Sequence, residues 1–141
     1  MREILFRGKQ VGNDEWVYGS FIPDLCEVYY GDKINGFIKP FGKTKEERLM
    51  LEVDRETVGQ YTGMTDKNGT KIFEGDILSG YLDDLFPEEE SRYEVIWHDY
   101  GWHIRSNGFL DTPDNGWLKE NFEVIGNIHD NPELLEVAEN D

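Results

Sequence analysis

Residues 63–78, GMTDKNGTKIFEGDIL, constrain the fold of this chain more than any other stretch. Two turn dipeptides, Asn68-Gly69 and Gly75-Asp76, bracket a short apolar run. That run is too short for a self-supporting helix and suits an extended segment. Asn-Gly between extended residues is a hairpin signal. A type I′ turn needs φ > 0 at both central residues, which Asn tolerates and Gly adopts freely. The reading is a hairpin in which residues 62–67 face residues 70–73. A corner follows at Gly75-Asp76, where the Asp76 carboxylate can accept a backbone N–H as the chain turns into Ile77-Leu78.

A calcium loop is the competing reading of the same residues. Asp66, Asn68 and Thr70 occupy positions 1, 3 and 5 of an EF-hand spacing. The pattern then fails, because position 6 is Lys71 instead of Gly and position 12 is Ile77 instead of a bidentate Glu. The hairpin accounts for these residues with fewer assumptions, and no metal is expected here.

The rest of the chain repeats the theme of short strands between turns. Extended segments are expected over 3–7 and 15–22, with weaker candidates over 26–30 and 34–38, and another over 48–53. Gly19 inside WVYGSFI marks a bulge or a close backbone approach. Residues 39–47 read as an exposed loop. YEVIW and WHIR form a hairpin about a three-residue turn at 99–101, and 122–128 make a last strand. Asn131, Pro132 and Glu133 read as N-cap, first helical residue and an acid at the positive dipole end, predicting a short helix over 132–138. Residues 107–116 read as turns. The sum is a mainly β (α+β) fold, with an N-terminal β-rich portion over 1–56 and a second portion over 57–141.

Charge separates the two portions. Residues 1–50 hold eight basic and eight acidic side chains, whereas 51–141 hold six basic and 22 acidic, so the formal charge of −16 resides in the latter. A surface of that sign repels phosphates and is not expected to bind nucleic acid directly. It suits a basic protein partner. Residues 83–91, DDLFPEEES, concentrate five carboxylates and nominate Asp83, Asp84, Glu88, Glu89 and Glu90 as contact residues.

Catalytic motifs are weak. The one cysteine, Cys26, excludes an intramolecular disulfide and a multi-cysteine zinc site, and it fits a reducing compartment. No G-x-S-x-G, P-loop or G-x-G-x-x-G is present. A cofactor is not expected, nor are a membrane span and a signal peptide. His98, His103 and His129 are the three histidines. A three-residue turn would pair His98 with Trp102 and Trp97 with His103, placing His98 and His103 on opposite faces and denying them a shared metal. Trp97, Tyr100 and Trp102 crowd the same hairpin tip, with Tyr93 on the same strand. They read as core closure, or as a recognition surface.

In order along the chain, REILFRGK and WVYGSF, VDRETVGQYTGMTDKNGTKIFEGDIL, YEVIWHDYGWH and FEVIGNIHDNPELL resemble the YopX family of bacteriophage and prophage proteins over nearly the whole length. Arg55 stands where the family often has Pro, and the acidic insert at 83–91 lies where members vary. The resemblance implies a phage gene product in the bacterial cytoplasm that self-associates. No activity is established for the family, so no catalytic residue carries over. The turn into Ile77 also resembles the entry of an SH3-like small barrel, which would span about 57–128. The expected function is a non-enzymatic protein-interaction module. Two alternatives are an acidic DNA mimic that inhibits a host nucleic-acid-binding protein, and a divalent-metal enzyme built on clustered carboxylates.

Overall fold

The computed structural model describes residues 4–22, 36–40, 51–81, 90–98, 101–106, 109–111 and 115–135. It is mainly β, with antiparallel strands in two sheets and little helix. The chain divides into two compact units, 1–61 and 62–141. Cys26, the strand candidate 26–30, residues 41–47 of the expected loop 39–47 and the residues after Leu135 lie outside the described residues, while Lys39 and Pro40, expected in that loop, end a paired strand.

In the first unit, β1 (Phe6–Lys9) is flanked by β2 (Trp16–Ile22) and by the start of β5 (Gly59–Thr65). Beyond β2 lie β3 (Gly36–Pro40) and then β4 (Leu51–Val53). Alternation sorts the side chains. Phe6, Val17, Phe21, Ile38 and Val53 share one face, where Ile38 and Val53 are fully buried and the Phe6 and Phe21 rings sit 5.8 Å apart. Arg7, Lys9, Trp16 and Tyr18 share the other. Pairing through Gly19 is unbroken, so it is no bulge. It marks a close approach instead, because a Cβ there would stand 2.1 Å from the Lys39 carbonyl oxygen. A 3-10 turn, Arg55–Thr57, leads into β5, with Asp54 accepting the Glu56 N–H as its cap.

The second unit continues β5 beside β6 (Lys71–Phe73), then builds a sheet in the order β10-β9-β8-β7-β11. Its strands are β7 (Asp76–Tyr81), β8 (Glu90–His98), β9 (Gly101–Ser106), β10 (Phe109–Asp111) and β11 (Phe122–Asn127). Four consecutive strands meander, and β11 returns past β10 to lie beside β7. The stretch 107–116, read from sequence as turns, holds β10 and the first two residues of a seven-residue helix, α1 (Asn115–Asn121), in the link to β11. Ile72, Leu78, Val95, Ile104, Leu118 of α1 and Phe122 form the core.

Two expectations change. Among the described residues no closed barrel forms, because β10 and β11 end the sheet without pairing to each other. The C-terminal element is a 3-10 turn, Pro132–Leu135, in place of an α-helix start. The Asn131 side chain does not cap it forward. It accepts the Asn127 N–H at 3.4 Å, while the Asn131 amide donates to the Asn127 carbonyl.

Candidate functional site

The β8–β9 hairpin carries the site nominated from sequence, with its register corrected by one residue. Trp97 pairs with Trp102 and His98 with Gly101, so the loop holds two residues where three were expected. A one-residue change in loop length reverses which side chains share a face. Trp97 and Trp102 are direct cross-strand neighbours with ring centroids 4.9 Å apart in an edge-on arrangement. His98 and His103, expected on opposite faces, lie on the same one with rings 5.8 Å apart.

The two faces do different work. Tyr93, Val95 and Trp97 of β8 alternate onto the core side. Tyr93 packs edge-on against Phe122 at 5.8 Å and lies partly buried against the core. Trp102 packs against the core, and its Nε1 is buried without a hydrogen-bond partner. Trp97, at the end of the row, is 50% exposed. The opposite face carries the Glu94–Arg105 ion pair at 2.8 Å, then Ile96 beside His103, then His98.

Of the other nominated contact residues, Tyr100, Asp83, Asp84, Glu88 and Glu89 lie outside the described residues. Glu90 is exposed at the start of β8 and pairs with Arg92. Arg92 also donates from Nη1 to the Leu134 carbonyl at 3.1 Å, tying the C-terminal turn to β8.

The turn residues shape the chain. Asn68 does not take positive φ, so the expected type I′ turn is absent. Instead Gly69 N–H donates to the Asp66 carbonyl, Asp66 N–H to the Thr70 carbonyl, and Gly69 alone turns left-handed at φ 81°. This is the three-residue hairpin loop with a glycine bulge. Asp66 Oδ1 accepts the Asn68 and Thr70 amides at 2.8 and 2.9 Å, and Oδ2 accepts Val124 N–H at 2.9 Å. Its oxygens serve the backbone, which accounts for an aspartate at the opening of this loop. At the next corner Gly75 has φ 90° and Asp76 Oδ2 accepts the Phe73 N–H at 2.7 Å, as its sequence suggests.

Sequence reasoning missed Asn127. It is buried in the GNIHDN stretch, and its Oδ1 accepts the His129 and Asp130 amides at 3.0 and 2.9 Å while Nδ2 donates to Asp130 Oδ2 at 3.2 Å. The signal was an Asn two residues ahead of the polar run His129-Asp130-Asn131, a pattern compatible with an Asx turn. Also missed was a cation–π cluster in the first unit, where Arg7 and Lys9 lie 4.7 and 5.7 Å from the Trp16 ring centroid.

Among the described residues no group of three or more His, Cys, Asp or Glu could hold a metal, and no helix is long and apolar enough to cross a membrane. Fold and site together define a two-unit, mainly β protein whose sequence motifs build turns and whose β8–β9 tip carries a half-exposed tryptophan. Residues 5–136 match the family described as YopX protein, and the chain belongs to that family. It is also similar to protein EF1440 from Enterococcus faecalis, known from a crystal structure. The two share 26% identity with a TM-score of 0.60, over 96% of this chain and 99% of that one. No curated protein matches.

Proposed function

We propose that this chain is a phage or prophage accessory protein that acts in the bacterial cytoplasm through protein contact, without catalysis. The contact centres on the β8–β9 tip. The observation that carries this reading is Trp97, 50% exposed yet held edge-on against Trp102. A rigid aromatic presented to solvent from a packed base is the kind of anchor on which binding energy concentrates. The excess of 22 acidic over six basic residues in 51–141 supports a partner with a basic surface.

The test is affinity capture from bacterial lysate with the wild-type chain and with Trp97→Ala, followed by affinity measurement on the recovered partner at rising salt. The reading expects a partner held by wild type and lost by Trp97→Ala, with affinity falling as salt screens the charges. Equal capture by both chains would remove the anchor, and a salt-insensitive affinity would remove the basic partner.

A further inference from the structure

His98 and His103 are diagonal neighbours on one face of the β8–β9 hairpin, with ring centres 5.8 Å apart and planes at 84°. Five consecutive residue pairs, from Glu94–Arg105 to His98–Gly101, fix the backbone beneath them. His103 Nδ1 lies 3.1 Å from the Gly101 carbonyl oxygen. A carbonyl only accepts, so in the neutral ring Nδ1 carries the proton and Nε2 keeps its lone pair. Metal-binding imidazoles are held in this way, one nitrogen donating to a backbone carbonyl and the other ligating.

We propose that His98 and His103 form an exposed two-histidine site for a divalent transition cation of the Cu²⁺, Ni²⁺ or Zn²⁺ class. Imidazole nitrogen favours these ions, whereas Mg²⁺ and Ca²⁺ demand oxygen donors. A cation about 2.0–2.1 Å from one nitrogen of each ring places the ring centres roughly 5 Å apart. The observed spacing exceeds that by less than about 1 Å, a difference that side-chain rotation covers, given that His98 is exposed. Among the described residues no third His, Cys, Asp or Glu joins them in a cluster of three. A cation held by two imidazoles alone exchanges readily, unlike one in the closed four-ligand sites that hold structural zinc. A formal charge of −16 raises the local concentration of any cation. His129 lies elsewhere, beside Gly75, and serves as the internal control.

The experiment uses the full chain without an affinity tag and stripped of metal. CuCl₂, NiCl₂, ZnCl₂, MgCl₂ and CaCl₂ are titrated by calorimetry while the imidazole proton resonances are followed by NMR. Binding of one cation per chain is expected, with Cu²⁺ tighter than Ni²⁺ or Zn²⁺ and no binding of Mg²⁺ or Ca²⁺. The His98 and His103 resonances shift or broaden and those of His129 do not. His98→Ala and His103→Ala each weaken affinity about tenfold or more, and His129→Ala leaves it unchanged. Undiminished binding by the His98→Ala/His103→Ala double variant would overturn the proposal. So would an equal response at His129, or the absence of heat and resonance change with Cu²⁺, Ni²⁺ and Zn²⁺. The wild-type resonances decide the matter even if a variant fails to fold.

Discussion

Asp66 and Val124 lie 58 residues apart and are joined directly, because Asp66 Oδ2 accepts the Val124 amide at 2.9 Å. The other oxygen accepts the Asn68 and Thr70 amides, and the Lys67 amide donates to the Phe122 carbonyl. One carboxylate, 1% exposed, thus closes the β5–β6 turn and ties it to β11. Asp66→Ala strands three amides and should cost about 2–4 kcal/mol in urea denaturation, each charge-assisted bond counting more than a neutral one. Asp66→Asn keeps one acceptor oxygen and should fall between that variant and wild type. Calcium should leave the melting temperature of the wild-type chain unchanged, since the Asp66 oxygens already serve the backbone.

Gly19 faces the backbone of β3 with no room for a side chain. A Cβ would meet the Lys39 carbonyl oxygen at 2.1 Å and the Pro40 Cα at 2.8 Å. These are backbone atoms, so relief requires the strands to separate. Gly19→Ala should destabilise the first unit by at least about 2 kcal/mol. Amide exchange should rise first along the β2–β3 ladder, a pattern that uniform destabilisation of the chain would not give.

The same position illustrates how far the sequence could be read. A glycine amid aromatic and β-branched residues can stand in a strand only where a bulge or a neighbouring backbone excludes a side chain, and the second occurs. Most strand positions and the Gly75-Asp76 corner were legible because alternation and turn chemistry are local, but β10 and the end of β3 fell in stretches read as turns and loop. The tip of β8–β9 was not, because Asp99-Tyr100-Gly101 permits a two- or a three-residue loop and the packing of Trp97 on Trp102 decides between them. That single residue moved His98 and His103 from opposite faces to the same one. Helix α1 was hidden by its length and by Gly116, a poor helix former, with its stability coming from Leu118 in the core. Asn68 looked like the first residue of a type I′ turn, yet the side chain of Asp66 selected the bulged loop.

Trp97 and Trp102 should separate binding from stability. Trp97→Ala loses an edge-on ring contact at an exposed site and should cost about 1 kcal/mol. Trp102→Ala opens a space beside the core and should cost about 3–5 kcal/mol. Trp102→Phe should fall well short of that, because it keeps a ring against the core and deletes a buried Nε1–H that has no partner. Chemical denaturation of the three variants gives the order. A Trp97→Ala variant less stable than Trp102→Ala would contradict the assignment of Trp102 to the core and Trp97 to the surface.

Asn127 gives a pH-dependent test. Its Oδ1 accepts two amides, and its Nδ2 donates to Asp130 Oδ2 at 3.2 Å. Asn127→Asp preserves the acceptor and replaces the donor with a second carboxylate oxygen facing Asp130. Like charges at that spacing, one of them on the exposed Asp130 and so partly screened by water, raise the proton affinity of the pair in the folded state above that of the unfolded chain. The folded variant then binds more protons than the unfolded one across the carboxylate range, so its stability falls as pH rises through that range. Relative to wild type, Asn127→Asp should be about 2 kcal/mol less stable at neutral pH, and the gap should narrow on acidification as a shared proton restores a donor. Asn127→Ala should lose a similar amount with no such narrowing. Parallel pH–stability curves for Asn127→Asp and Asn127→Ala would show that Asp130 does not face this side chain.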